Sequence, residues 1–87
     1  MPDPAGMEFP TFFRLRIVGR NDDDFAAFIL DRLLPFIPEL RAENLELRPS
    51  NGGKYLAVHV AFMALSREQM DGIYGDLSAH ERVLWVM

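Results

Sequence analysis

The stretch Arg48-Pro49-Ser50-Asn51-Gly52-Gly53-Lys54-Tyr55 leaves the backbone few choices. Pro49 has no N–H to give to a ladder and suits the end of a strand. The Ser-Asn-Gly-Gly run supplies the positive φ angles that a tight hairpin needs. Before the turn, Leu45 and Leu47 alternate with Glu46 and Arg48. After it, Leu56, Val58, Val60 and Phe62 alternate with Tyr55, Ala57, His59 and Ala61. Period two means half-buried strands, so the segment is predicted to be a β-hairpin with its second strand over about 54–63.

The remaining elements arrange themselves around this hairpin. Phe13, Leu15 and Ile17 alternate with Arg14 and Arg16, which predicts a strand over 12–18 that closes at Gly19. Asn21-Asp22-Asp23-Asp24 reads as a helix start, where short acceptors can satisfy free N–H groups and acids favour the positive end of the dipole. Phe25, Phe28, Ile29 and Leu33 share a face at helical spacing, and Pro35 with Pro38 stops the helix, which is placed at about 23–34. Phe36 and Ile37 are expected to fold back onto the core. Ser66-Arg67-Glu68-Gln69 is a capping box ahead of Met70, Ile73, Tyr74 and Leu77. Gly72 and Gly75 weaken that second helix and are expected to let it lie close to the sheet. Residues 82–87 form a closing strand, and residues 1–8, with two prolines and a glycine, read as a flexible tail.

The order is β-α-β-β-α-β. With right-handed crossovers it gives a ferredoxin-like α+β sandwich, a four-stranded antiparallel sheet with two helices on one face. The first and third strands are central and the second and fourth are edges. The 87 residues make one domain, over 9–87, with a small core.

Several function classes are disfavoured by composition. Nine basic against thirteen acidic residues give a net charge of −4, so nucleic acid is an unlikely partner and an anionic membrane surface is not expected. No apolar run approaches the roughly 20 residues that cross a bilayer, and the N-terminus lacks the pattern of a signal peptide. The absence of cysteine removes disulfides, thiolate metal sites and cysteine nucleophiles, and leans toward the cytoplasm. No cofactor is expected.

Each motif with a chemical look has a plainer reading beside it. His59 and His80 are the only histidines, one mid-strand and one in a turn, and a metal needs several converging ligands. Asp22-Asp23-Asp24 lacks the spaced oxygens of a calcium loop and reads as a helix cap. Ser50-Asn51-Gly52-Gly53-Lys54 joins two strands, whereas a phosphate loop leads into a helix. Ser66 and Ser78 have no histidine–acid relay. An enzyme is therefore not expected.

Three segments together carry a family resemblance. They are Phe9-Pro10-Thr11 leading into a strand that closes at Gly19, Arg48-Pro49-Ser50 with Gly53 and Tyr55, and Ile73-Tyr74-Gly75-Asp76-Leu77 ahead of Val83-Leu84-Trp85-Val86-Met87. Over about residues 9–87 the chain resembles the YbeD-like family, small bacterial domains of unknown function, with extra residues around Phe36 to Arg41. The resemblance implies a fold like that of ACT-type regulatory domains and a labelled link to lipoate metabolism, and it lends no catalytic residues. ACT domains bind ligand at an Asp-x-Pro-Gly-like turn after the first strand, where this chain has Gly19-Arg20-Asn21-Asp22.

Strand parity singles out the outer sheet face. It presents Phe12, Arg14, Arg16 and Val18 from the first strand and Tyr55, Ala57 and His59 from the third, with Leu84 and Val86 joining from the edge. Trp85 is expected in the core with Val83 and Met87. An apolar and cationic mixture is unusual where a solvated face is mostly polar. The candidate partner-binding residues are therefore Phe12, Arg14, Arg16, Tyr55 and His59, in a regulatory or protein-interaction module. Self-association through the apolar terminal edge is a related possibility. An ACT-like small-ligand site at Gly19, Arg20 and Asn21 and a single-stranded RNA surface are the alternatives. The plain reading is an incompletely polar sheet face.

Overall fold

A computed structural model describes residues 8–87, so that the tail expected over 1–8 lies, apart from Glu8, outside the described residues. The elements are β1 (Thr11–Arg20), α1 (Phe25–Leu33), β2 (Leu45–Pro49), β3 (Tyr55–Ala64), α2 (Arg67–Ser78) and β4 (Val83–Val86), with a short 3-10 turn at Ala42–Asn44 before β2. The sheet order is β2-β3-β1-β4, and every neighbouring pair is antiparallel. This is the ferredoxin-like sandwich.

Both helices cover the face that carries Leu15, Ile17, Leu56, Val58, Val60 and Phe62. Phe25, Ile29 and Leu33 from α1 and Met70, Ile73 and Leu77 from α2 close the core over them. Burial of these side chains is the main force that holds the two layers together. Ile37 and Leu40 complete it from the connection after α1, as the chain folds back once Pro35 has ended the helix. Arg32 of α1 donates two hydrogen bonds to the Asp76 carboxylate of α2, which keeps that acid below its ordinary range.

The hairpin closes as its residues require. Gly52 and Gly53 hold φ of 88° and 75°. The Ser50 hydroxyl accepts from the Tyr55 N–H at 2.9 Å, and Ser50 N–H donates to the Tyr55 carbonyl at 2.8 Å. At α2, Ser66 accepts from the Gln69 N–H at 3.1 Å. The Gln69 side chain reaches one residue further back than a capping box requires, to the Leu65 N–H, and its amide donates to the Phe36 carbonyl.

Four expectations are corrected. β1 does not close at Gly19 but runs to Arg20, because pairing with Tyr55 continues to that point. The acids at 22–24 do not cap α1 with their side chains. The carboxylate of Asp24 instead accepts from Arg82 at 2.8 Å, since a charged partner outcompetes a neutral N–H. Gly72 faces Phe36 and Gly75 faces open space, so neither brings α2 close to the sheet. Finally, a bulge between Val18 and Gly19 shifts the register of β4: Val18 pairs with Trp85 but Gly19 pairs with Val83. The extra residue, Leu84, reverses the parity beyond it. Val86 therefore packs toward the core and Trp85, expected inside, stands 55% exposed on the outer face with Met87.

The two helical glycines give a sign test. A Cβ on Gly75 meets nothing within 4 Å, so Gly75→Ala is expected to stabilise by about 1 kcal/mol through helix propensity alone. A Cβ on Gly72 lies 2.6 Å from the Phe36 ring, so Gly72→Ala is expected to destabilise despite the same propensity gain. Urea midpoints that move in the same direction for both would contradict this packing.

Candidate functional site

The outer face is read row by row from the strand register. One row runs Arg48, Ala57, Val18, Trp85 and the next runs Glu46, His59, Arg16, with Met87 completing it through paired hydrogen bonds to Arg16. Arg14 lies opposite Ala61, and Phe12 lies opposite Met63 at the far end. Two adjoining depressions of about 330 Å³ each indent this face. They share Arg16, Val18, Ser50 and Tyr55. Arg48 and His59 extend the first, and Trp85 and Met87 the second. Together they form a trough across the strands, from β2 to β4.

Of the five residues singled out from the sequence, the structure gathers Arg16, Tyr55 and His59 in this trough. Arg14 stands one row away and contacts Glu46 at 3.5 Å. Phe12 is 69% exposed but belongs to a separate apolar end with Met63, its partner in the register. Arg48, Ser50, Trp85 and Met87 were not among the candidates. Parity carried through the hairpin could have placed Arg48 beside Ala57. Trp85 could not have been found, since its side depends on the bulge.

The electrostatics of the face are set by three guanidinium groups and one carboxylate. Arg48 donates to Glu46 at 2.6 Å and is the main cause that holds that carboxyl below its ordinary range. The Arg16 guanidinium reaches only the Met87 sulfur, at 3.6 Å, and among the described residues no Asp or Glu carboxylate lies within 4 Å of it. Burial pushes the His59 imidazole below its ordinary value. Arg48 adds to this, Glu46 opposes it, and Arg14 and Arg16 add again.

The His59 shift makes a pH prediction. The unfolded chain takes up this proton first, near pH 6.5, so stability is expected to fall as pH drops through that value and to level off below the folded-state value. In urea unfolding between about pH 5 and pH 8, His59→Gln should flatten this slope. A slope unchanged by the substitution would assign it to another group.

Gly19, Arg20 and Asn21 do not share one concavity. Gly19 is buried beneath Phe25. Asn21 ties the end of β1 to the hairpin, donating its side-chain amide to the Gly53 carbonyl and its N–H to the Lys54 carbonyl, each at 3.0 Å. Arg20 lines a smaller depression with Asp22, Phe25 and Arg82. His80 packs edge-on against Phe28, with centroids 4.6 Å apart. Among the described residues, no group of three or more His, Asp or Glu gathers as a metal site, and no helix is long and apolar enough to cross a membrane.

Fold and face define a small ferredoxin-like sandwich whose sheet is open on one side and cationic-aromatic there. The solution structure of protein HP0495 from H. pylori shares the fold, with a TM-score of 0.71 at 15% identity over 100% of this chain and 94% of that one. Residues 4–87 match the family described as "Protein of unknown function (DUF493)". The UPF0250 protein of Ralstonia nicotianae is 40% identical over 99% of this chain and 89% of its own length. That of Janthinobacterium sp. is 36% identical over 99% and 94%. The chain belongs to this UPF0250, or YbeD-like, family.

Proposed function

We propose that this domain is a non-catalytic interaction module that receives a protein partner on the open face of its sheet. The observation that carries this reading is charge segregation on that face. Arg14, Arg16, Arg48 and Glu46 sum to +2 in a chain of net charge −4, so all other residues together carry −6. Half-buried Tyr55 and exposed Trp85 flank the cationic centre, and aromatic residues and arginine are the types enriched at protein contacts. A domain whose helices cover only one side of the sheet has the other side free for such contact. We take the module to act in the cytoplasm, a setting that suits a small domain without cysteine staples.

Affinity capture with the tagged chain tests this. Partners retained by the unmodified chain are expected to be lost from Arg14→Glu with Arg16→Glu. Both side chains are exposed, so the fold should be kept, as judged by circular dichroism. Retention of the same partners by the double variant would remove the sheet face from the reading.

A further inference from the structure

Resting on the interaction face proposed above, we infer that the trough receives an acidic protein segment in which a carboxylate side chain adjoins an aromatic one. The carboxylate docks on Arg16, and the ring lies over Val18 between Tyr55 and Trp85.

Arg16 is the one cation common to both depressions. Glu46, which stands on this face opposite His59, is already engaged by Arg48 and Arg14. Among the described residues, the Arg16 guanidinium has only a thioether within reach, a weak acceptor. Its fork of donors therefore remains open to an incoming carboxylate, which it matches two bonds at a time.

The apolar part of the site adjoins this charge. Val18 is on the outer side of the sheet yet only 7% exposed. It lies in register between Ala57 and Trp85, and Tyr55 lines the same depression. Two aromatic side chains beside a small aliphatic floor suit a flat ring.

The shape and charge choose among occupants. Both depressions are open troughs, whereas a small molecule is usually enclosed over most of its surface. A polyphosphate chain requires several cations in line, whereas among the described residues that line the trough Arg16 is the one cation without a carboxylate partner. A segment with one carboxylate next to one ring fits what the face offers.

The single tryptophan of the chain, Trp85, lies in the trough and reports on it directly. The probe is acetyl-Gly-Phe-Glu-Gly-amide, compared with the same peptide carrying Gln for Glu and with one carrying Ala for Phe. Binding is read from Trp85 emission and from the amide NMR shifts of Arg16, Val18 and Ala57. A saturable change is expected with the first peptide, about tenfold weaker with either control or in Arg16→Gln. Arg67→Gln, on α2, should leave the curve unchanged. No saturable change up to about 10 mM, or equal curves for the Glu and Gln peptides, would overturn the inference. If the peptide fails while Arg14→Glu with Arg16→Glu still loses captured partners, the interaction face stands and the acid–aromatic pairing falls. If capture also persists in that double variant, both fall.

Discussion

Phe25→Ala is expected to destabilise the domain by about 3–5 kcal/mol, a large part of the total stability of a chain this size. Phe25 is the first residue of α1 and is fully buried. Its ring lies against Gly19 of β1, stacks beside Phe28 with centroids 6.3 Å apart, and has the Arg82 guanidinium 5.8 Å from its centroid. Removing the ring leaves a cavity bounded by the sheet, which cannot collapse without breaking strand pairs. The loss therefore includes both the transfer energy of the ring and the void that remains. Urea unfolding followed by circular dichroism measures it. A loss below about 1 kcal/mol would mean that the sheet and α1 close the gap, and the packing described here would be wrong.

Gly19→Ala attacks the same junction from the strand side. A Cβ at position 19 would sit 2.4 Å from Cζ and 2.5 Å from Cε1 of Phe25, and 2.6 Å from the Arg82 carbonyl oxygen. The ring can tilt, but the carbonyl belongs to the backbone that leads into β4. Overpacking of this kind typically costs about 1–3 kcal/mol, and a backbone obstacle places the effect at the upper end. Because β4 would be pushed from β1 next to the bulge, Trp85 emission should shift in the folded variant as well. Adding Phe25→Leu to Gly19→Ala should restore only part of the loss, since it relieves the ring and not the carbonyl. Complete rescue would assign the whole cost to Phe25.

These two positions also show where local reading ends. Gly19 looks like a strand terminator in the sequence. Its actual constraint is a ring and a carbonyl that arrive from distant parts of the chain. Phe25 was legible as a core residue because its spacing to Phe28, Ile29 and Leu33 is a property of the helix itself. The hairpin, the inward set of Leu56, Val58, Val60 and Phe62, and the Ser66 cap were legible for the same reason: each depends on residues a few positions apart. The acids before α1 were misread because their partner, Arg82, lies 58 positions from Asp24.

The candidate site divides along the same line. Arg14, Arg16, Tyr55 and His59 were assigned to the outer face by parity, and parity holds wherever a strand is regular. It failed on β4, where one bulged residue turned Trp85 outward and Val86 inward. Sequence alone determined the order of the elements, the type of turn and which side of each regular strand meets the core, because alternation and helical spacing are local and apolar burial rewards them directly. Only the tertiary structure decided that Trp85 and Met87 complete a trough around Arg16 and that Phe12 stands apart. Those outcomes rest on register between strands, which is not encoded at any single position.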